Sequence, residues 1–260
     1  MKTKILLTAA CLAAAGNLHA FELESTELTL GTGKLQEVDG FGISTRNESI
    51  AGAVNLNLTE NLDLRFGITH ADQGDFFPTL DMTVFSLTAM QHLTEGLAVG
   101  AFWDRTKFSD SFGNSTIDHY GIEASYTYKN LTLTGFVGQG DYKMISEKSD
   151  VAGLSAGYAF ANGLDVGAFY LQENSDFIGD QEAYGITVGV ELTGPAQTPV
   201  YLNASLGRTD GFLGVADLAR VTLTVPFGGK ARNGRKPVHG HSVEMDSFSY
   251  FNHVSNPTGF

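Results

Sequence analysis

The sequence predicts an all-β fold, a transmembrane antiparallel up-and-down β-barrel of about 12 strands, with 14 as the alternative. Three observations lead there. Apolar and polar residues alternate in runs that recur as hairpins, most clearly at 50–70, 81–107, 118–140, 150–173 and 183–208. One phase of each run is apolar and the other is Gly, Ser, Thr and scattered charge, so too few bulky side chains share a side to fill a dry core. Turns at one end of the hairpins are tight, whereas connections at the other are longer, which is the periplasmic–extracellular asymmetry of outer-membrane barrels. Backbone groups in hydrocarbon must all be paired, and strands achieve this only by closing on themselves.

Taken in order, residues 1–20 read as a secretory signal: Lys2 and Lys4, an apolar stretch from Ile5 to Ala15, and the small-residue exit Leu18-His19-Ala20. That stretch is too short to span a bilayer as a helix. Cys11, the one cysteine, leaves with the signal, so no disulfide is expected. Residues 21–37 are a lead-in. Residues 38–227 form the barrel, beginning with a strand at 38–45, continuing through the hairpins, and closing with 218–227. Adding Glu27–Gly31 and Met245–Phe251 would make the 14-strand version. Residues 80–93 change phase between Val84 and Phe85, which predicts a bulge. Residues 228–260 leave the pattern and read as a periplasmic tail or, through the basic cluster Lys230, Arg232, Arg235 and Lys236, as a plug drawn into an acidic lumen.

Tight turns fall at Thr59-Glu60-Asn61, Thr94-Glu95-Gly96, Lys129-Asn130 and Ala161-Asn162-Gly163, where Asn and Gly supply the backbone angles that hairpins need. The longer loops are expected at 72–79, 109–116, 141–148 and 174–181. On the outward phase, Tyr128 and Phe160 lie beside the short turns, and Trp103, Tyr120, Tyr170 and Tyr184 beside the loops. At ~3.3 Å per residue and a tilt of ~40°, Tyr120 and Tyr128 are roughly 20 Å apart along the membrane normal, the spacing of two aromatic girdles.

With 29 acidic and 16 basic residues the chain carries −13, a balance that disfavours nucleic acid and suits a surface or pore that attracts cations. Inward phases place Asp63, Arg65, Asp104, Glu123, Asp165, Glu191 and Arg220 along the lumen as candidate pore-lining charges. Phe102, Phe136 and Phe169 share that phase at equivalent points of three hairpins. They either narrow the lumen or pack with glycines as wall. A ring of 12 strands encloses a backbone cylinder roughly 24 Å across, leaving about a nanometre once side chains are counted. No cofactor is expected. His239, His241 and His253 do not complete a metal set, and His70, His92 and His119 have no evident partner at matching depth.

The repeated Leu-x-Val-Gly-Ala-Phe-[Trp/Tyr] of 97–103 and 164–170, the acidic Gly-Asp loops, the leader, and the closing strand Ala219-Arg220-Val221-Thr222-Leu223-Thr224-Val225-Pro226-Phe227 resemble a short Gram-negative porin of the alphaproteobacterial kind. The resemblance covers about 38–227. It implies an outer-membrane location, with outer-membrane lipids, the assembly machinery, and small solutes and cations as partners; the oligomeric state stays open. It also implies Phe227 as the assembly signal and passive diffusion of small hydrophilic solutes, with cation preference following from the carboxylates. A non-conducting barrel displaying Asp-Phe loop tips such as Asp75-Phe76 is the alternative. A membrane-lipid hydrolase is a third reading. His253-Val254-Ser255-Asn256 resembles the His-x-Ser-Asn of outer-membrane phospholipases, but Pro257 follows it in a tail, so no catalytic residue is assigned.

Overall fold

The computed structural model describes residues 22–37, 44–74, 80–109, 114–143, 146–176, 179–193, 199–211 and 214–227. They form twelve strands: β1 (Glu22–Glu37), β2 (Ser44–Thr59), β3 (Leu62–Gly74), β4 (Leu80–His92), β5 (Leu97–Ser109), β6 (Asn114–Tyr128), β7 (Leu131–Tyr142), β8 (Glu147–Ala159), β9 (Leu164–Ser175), β10 (Gly179–Thr193), β11 (Pro199–Gly211) and β12 (Gly214–Phe227). Each strand pairs antiparallel with its neighbours in sequence, and β1 pairs with β12, so the sheet is a closed barrel. Among the described residues no helix is long and apolar enough to cross a membrane. The strands cross it instead, because closure pairs their backbone groups.

The count of twelve agrees with the sequence, but the first strand is a different one. Residues 22–37, expected as a lead-in, form β1, which joins Leu28 to Val225 on one side and to Gly52 on the other. Of the run expected as the first strand, Ser44 and Thr45 begin β2, and residues 38–43 lie outside the described residues, as do the leader and the tail. Glu27–Gly31, which the sequence offers only in the 14-strand alternative, lies within β1; the strand signal is faint because of a weak outward face, where only Leu28 and Leu30 are bulky and Thr32, Lys34 and Gln36 follow them. Its inward glycines bring it close to its partners. A Cβ on Gly31 would meet Ser49 Oγ and lie 3.3 Å from Thr222 Cγ2.

The described parts of the expected long loops are largely strand. The pair β3–β4 continues to Gln73↔Leu80, and β5–β6 to Ser109↔Asn114. With strands of 12 to 16 residues, the wall rises further than the bilayer requires, at roughly 30 to 40 Å against a band of ~25 Å. Both chain ends of the barrel, Glu22 and Phe227, lie on the rim of the 60–61 and 129–130 turns. On the same rim, the 129–130 and 161–163 turns use left-handed backbone, Lys129 at φ 54° and Gly163 at φ 88°.

No bulge interrupts β4. Its register runs unbroken from Asp81 to His92 against β5. The double-sided apolar pattern arises because Met82 and Val84 point inward, where they pack with Ala71, Phe108, Ile117 and Tyr142 on the inner wall of β3–β7. Phe85 and Leu87 take the outward phase opposite Ile68 and Phe66.

Each of the three inward phenylalanines lies against the glycine paired with it across the strands. Phe102 faces Gly121, Phe136 faces Gly153, and Phe169 faces Gly185. A Cβ at Gly121 or Gly185 would approach the ring to 2.8 and 2.9 Å. Phe102 and Phe136 then meet edge to face at 5.7 Å, and Val151, Leu171 and Ala183 complete the cluster. The rings therefore pack against the inner wall. Gly153→Val is expected to destabilise the barrel by about 1–3 kcal/mol, since its Cβ would collide with the Phe136 ring and with Leu171 Cδ2 at 2.6 Å. A lowered urea midpoint for the unfolding of protein refolded into vesicles checks this.

Candidate functional site: the barrel interior

Inward residues follow from register. On the wall of β1–β3, Arg65 reaches across β2 to Glu27, with Nη2 at 3.4 Å from Oε2, and donates to Asn55 Oδ1 at 3.1 Å. Asn55 Nδ2 in turn donates to Glu27 Oε1 at 3.1 Å and Ser25 Oγ at 2.9 Å. Glu27, Asn55 and Ser25 are buried and Arg65 is partly so, and this network ties three strands together. Next to it, His92 Nε2 lies 2.7 Å from Asp63 Oδ2 across the β3–β4 hairpin. On the other side of β1, the inward Arg220 donates to Ser49 Oγ at 3.4 Å. Asp165 lies over Gly189 beside Asn203, in space that a Cβ on Gly189 would take.

Towards the loop rim a second cluster spans four strands. Glu173 Oε1 accepts from Tyr142 Oη at 2.7 Å and from Ser149 Oγ, and His119 Nε2 lies 3.4 Å away. Gly140 makes this span possible, because a Cβ there would fall 3.0 Å from Glu173 Oε1 and 3.1 Å from His119 Cδ2. His119 and Glu173 are only 1% and 2% exposed, and Gln181 and Thr106 are equally enclosed. Ser149 is bonded to Glu173, and His119 Nδ1 has no hydrogen-bond partner, so the trio holds no His-activated hydroxyl. It is a polar clamp between strands.

The sequence-predicted charges all take the inward phase, in different settings. Asp63 and Arg65 belong to the turn-side networks, and Glu191 is exposed at the end of β10. Asp104 and Glu123 are buried, opposite His119 and Phe136. All six predicted girdle residues face outward: Tyr120, Tyr128, Phe160, Tyr170 and Tyr184 are exposed, and Trp103 is half-buried under the Arg105 guanidinium at 5.2 Å. Glu27, Glu173 and Tyr142 were not singled out from sequence. The expectation that the strand histidines lack partners is corrected, since His70 also lies 2.9 Å from Asp72 Oδ1. His70, Asp72 and Asp81 bring one donor atom each within 4.8 Å of one another at the loop end of β3 and β4, a set that can offer three ligands to a cation. The tail histidines and the His253-Val254-Ser255-Asn256 motif lie outside the described residues.

Comparison with known proteins agrees with this architecture. The COG4313 outer membrane channel from Pseudomonas putida F1 superposes with a TM-score of 0.53 at 15% identity, covering 82% of this chain and 98% of that one. The KdgM porin in complex with disordered oligogalacturonate gives 0.52 at 6% identity, covering 77% and 99%. A Pseudomonas aeruginosa FadL homologue gives 0.50 at 8%, covering 78% and 90%. At these identities the likeness is one of fold. No curated protein matches the chain significantly in sequence. A family profile does, over residues 25–176, and the family is described as Gram-negative porin. That match takes in more than half of the chain and, with the closed barrel and its outward aromatic residues, shows that the chain belongs to the Gram-negative porin family as a porin-like channel of the outer membrane.

Proposed function

We propose that the barrel passes small hydrophilic solutes by passive diffusion, prefers cations, and catalyses no reaction. The observation that carries the preference is the sign of the interior. Glu27, Asp63, Asp104, Glu123, Asp165 and Glu173 point inward against Arg65 and Arg220, so carboxylates dominate a wall that focuses its field on the lumen. Asp63 and Asp165 are the two of these to which water has most access, since Glu27, Asp104, Glu123 and Glu173 are buried. The girdle side chains seat the barrel among outer-membrane lipids, and the outward Phe227 that ends β12 supports recognition by the assembly machinery.

Purified protein in planar bilayers tests this reading. Under a KCl gradient the reversal potential is expected to take the sign of a K⁺-selective pore, and Asp63→Asn with Asp165→Asn to move it towards zero without abolishing conductance. A silent bilayer from correctly folded protein would instead indicate a structural or adhesive barrel.

A further inference from the structure

Two carboxylates confront each other at the loop end of the β3–β4 pair. Asp72 and Asp81 are direct partners across the ladder, and like charges so placed repel. Beside them stands His70. Its Nδ1 lies 3.1 Å from Oγ1 of Thr83, the residue opposite it on β4, and its Nε2 is turned towards the carboxylates, 2.9 Å from Asp72 Oδ1. All three side chains take the outward phase. They lie beyond Phe85 and Leu87, the partners of Arg105 and of the girdle residue Trp103, and so stand above the hydrocarbon.

One ligand atom from each of the three lies within 4.8 Å of the others. An ion held by nitrogen and carboxylate oxygen at about 2.1 Å wants its ligands roughly 3.4 Å apart in a tetrahedron. A small rotation of the exposed Asp72 side chain brings the set to that spacing. A hollow of about 480 Å³ opens against His70 and Asp81, over Thr83, Asn114, Ser115 and Thr116, with room for water at the remaining position. The imidazole separates this set from an acidic patch. Its far nitrogen is held by a hydroxyl on the neighbouring strand, the way metal-ligating histidines are oriented. Nitrogen also selects first-row transition ions over Ca²⁺ and Mg²⁺, which take oxygen.

We infer that His70, Asp72 and Asp81 form a site on the outer wall for a divalent transition cation of the zinc type, which clips the loop end of β3 to that of β4. In the bound form Nε2 is bare and the ring proton sits on Nδ1, where Thr83 Oγ1 accepts it. The inference uses only the register of the outer wall and holds whether or not the barrel conducts. The test titrates metal-free full chain in detergent with Zn²⁺ by calorimetry and with Co²⁺ by visible absorption, which reports the ligand set. One ion per barrel is expected, and Ca²⁺ at equal concentration should not displace it. Thr83→Val is expected to weaken Zn²⁺ binding about tenfold, the effect of losing a partner that orients a ligand, and His70→Gln to weaken it more. Asp72→Asn with Asp81→Asn should abolish it. Zn²⁺ should raise the urea midpoint of the parent protein and leave that of His70→Gln where it is, which also shows that the variant folds. Unchanged binding by His70→Gln would place the ion on other histidines and overturn the assignment. Unchanged binding by the double Asn variant, tighter binding of Ca²⁺ than of Zn²⁺, or no binding by folded parent protein would overturn it too. A silent bilayer with intact Zn²⁺ binding would remove the channel reading and leave this one standing.

Discussion

Val188→Arg is expected to destabilise the folded barrel by about 2–4 kcal/mol, the cost of a cation near the bilayer midplane on a lipid-facing strand. Val188 lies halfway between the girdle residue Tyr184 and the exposed Leu192, and it pairs with Val166 and Ala204, both outward. Nothing beside it offers a carboxylate, so the guanidinium has only hydrocarbon or a distorted bilayer to enter. The same change at Ser125, an inward neighbour of Thr134 on the lumen wall, is expected to cost a small fraction of that. The contrast between the two is the measurement. Urea titration of protein refolded into vesicles, followed by the fluorescence of the single tryptophan Trp103, gives both values on one scale. Equal costs at the two sites would mean that the apolar phase does not face lipid.

Glu27→Ala is expected to cost about 3 kcal/mol, the range for breaking a buried ion pair from one side. The loss comes less from the missing attraction than from what stays behind. Arg65, whose side chain is 19% exposed, would lose the Glu27 carboxylate and keep its bond to Asn55 Oδ1 at 3.1 Å, and Asn55 would lose an acceptor. Glu27→Gln keeps the Asn55 bond and should cost less. Glu27→Ala combined with Arg65→Met should recover part of the loss, because both halves of the pair are then gone. A double-mutant cycle on urea midpoints reports the coupling. Additive effects would mean that the two side chains do not meet. Because the network bridges β1, β2 and β3, weakening it should also loosen the seam at which β1 meets β12.

Much of the barrel was legible before any coordinates. Alternation of period two is a local property, so Leu62, Leu64, Phe66 and Ile68, or Tyr184, Ile186 and Val188, declare their face without help from the rest of the chain. The same holds for Lys129-Asn130 and the other tight turns. Failures came where a strand departs from that rule for a tertiary reason. β1 has a weak apolar face because Lys34 and Gln36 stand above the hydrocarbon, and β4 is apolar on both faces because Met82 and Val84 fill an internal cluster. Loop ends were misplaced because Asp, Gly and Ser, which mark turns in soluble proteins, here sit on strands that continue past the membrane. Which charges meet was not legible at all. Glu27 and Arg65 are separated by a whole strand, His119 and Glu173 by two, and only register and shear decide such distances.

The seam between β1 and β12 has a consequence for how the molecule is made. Thr26 and Phe227, joined by a 2.6 Å hydrogen bond, are 201 positions apart, so the ring shuts only after the ribosome has finished nearly every strand. Until then the sheet has two raw edges, each a template for unwanted pairing. A copy that stops before Gly214 would leave the outer edge of its opening strand unpaired and would remain an open ribbon, a substrate for periplasmic chaperones and proteases.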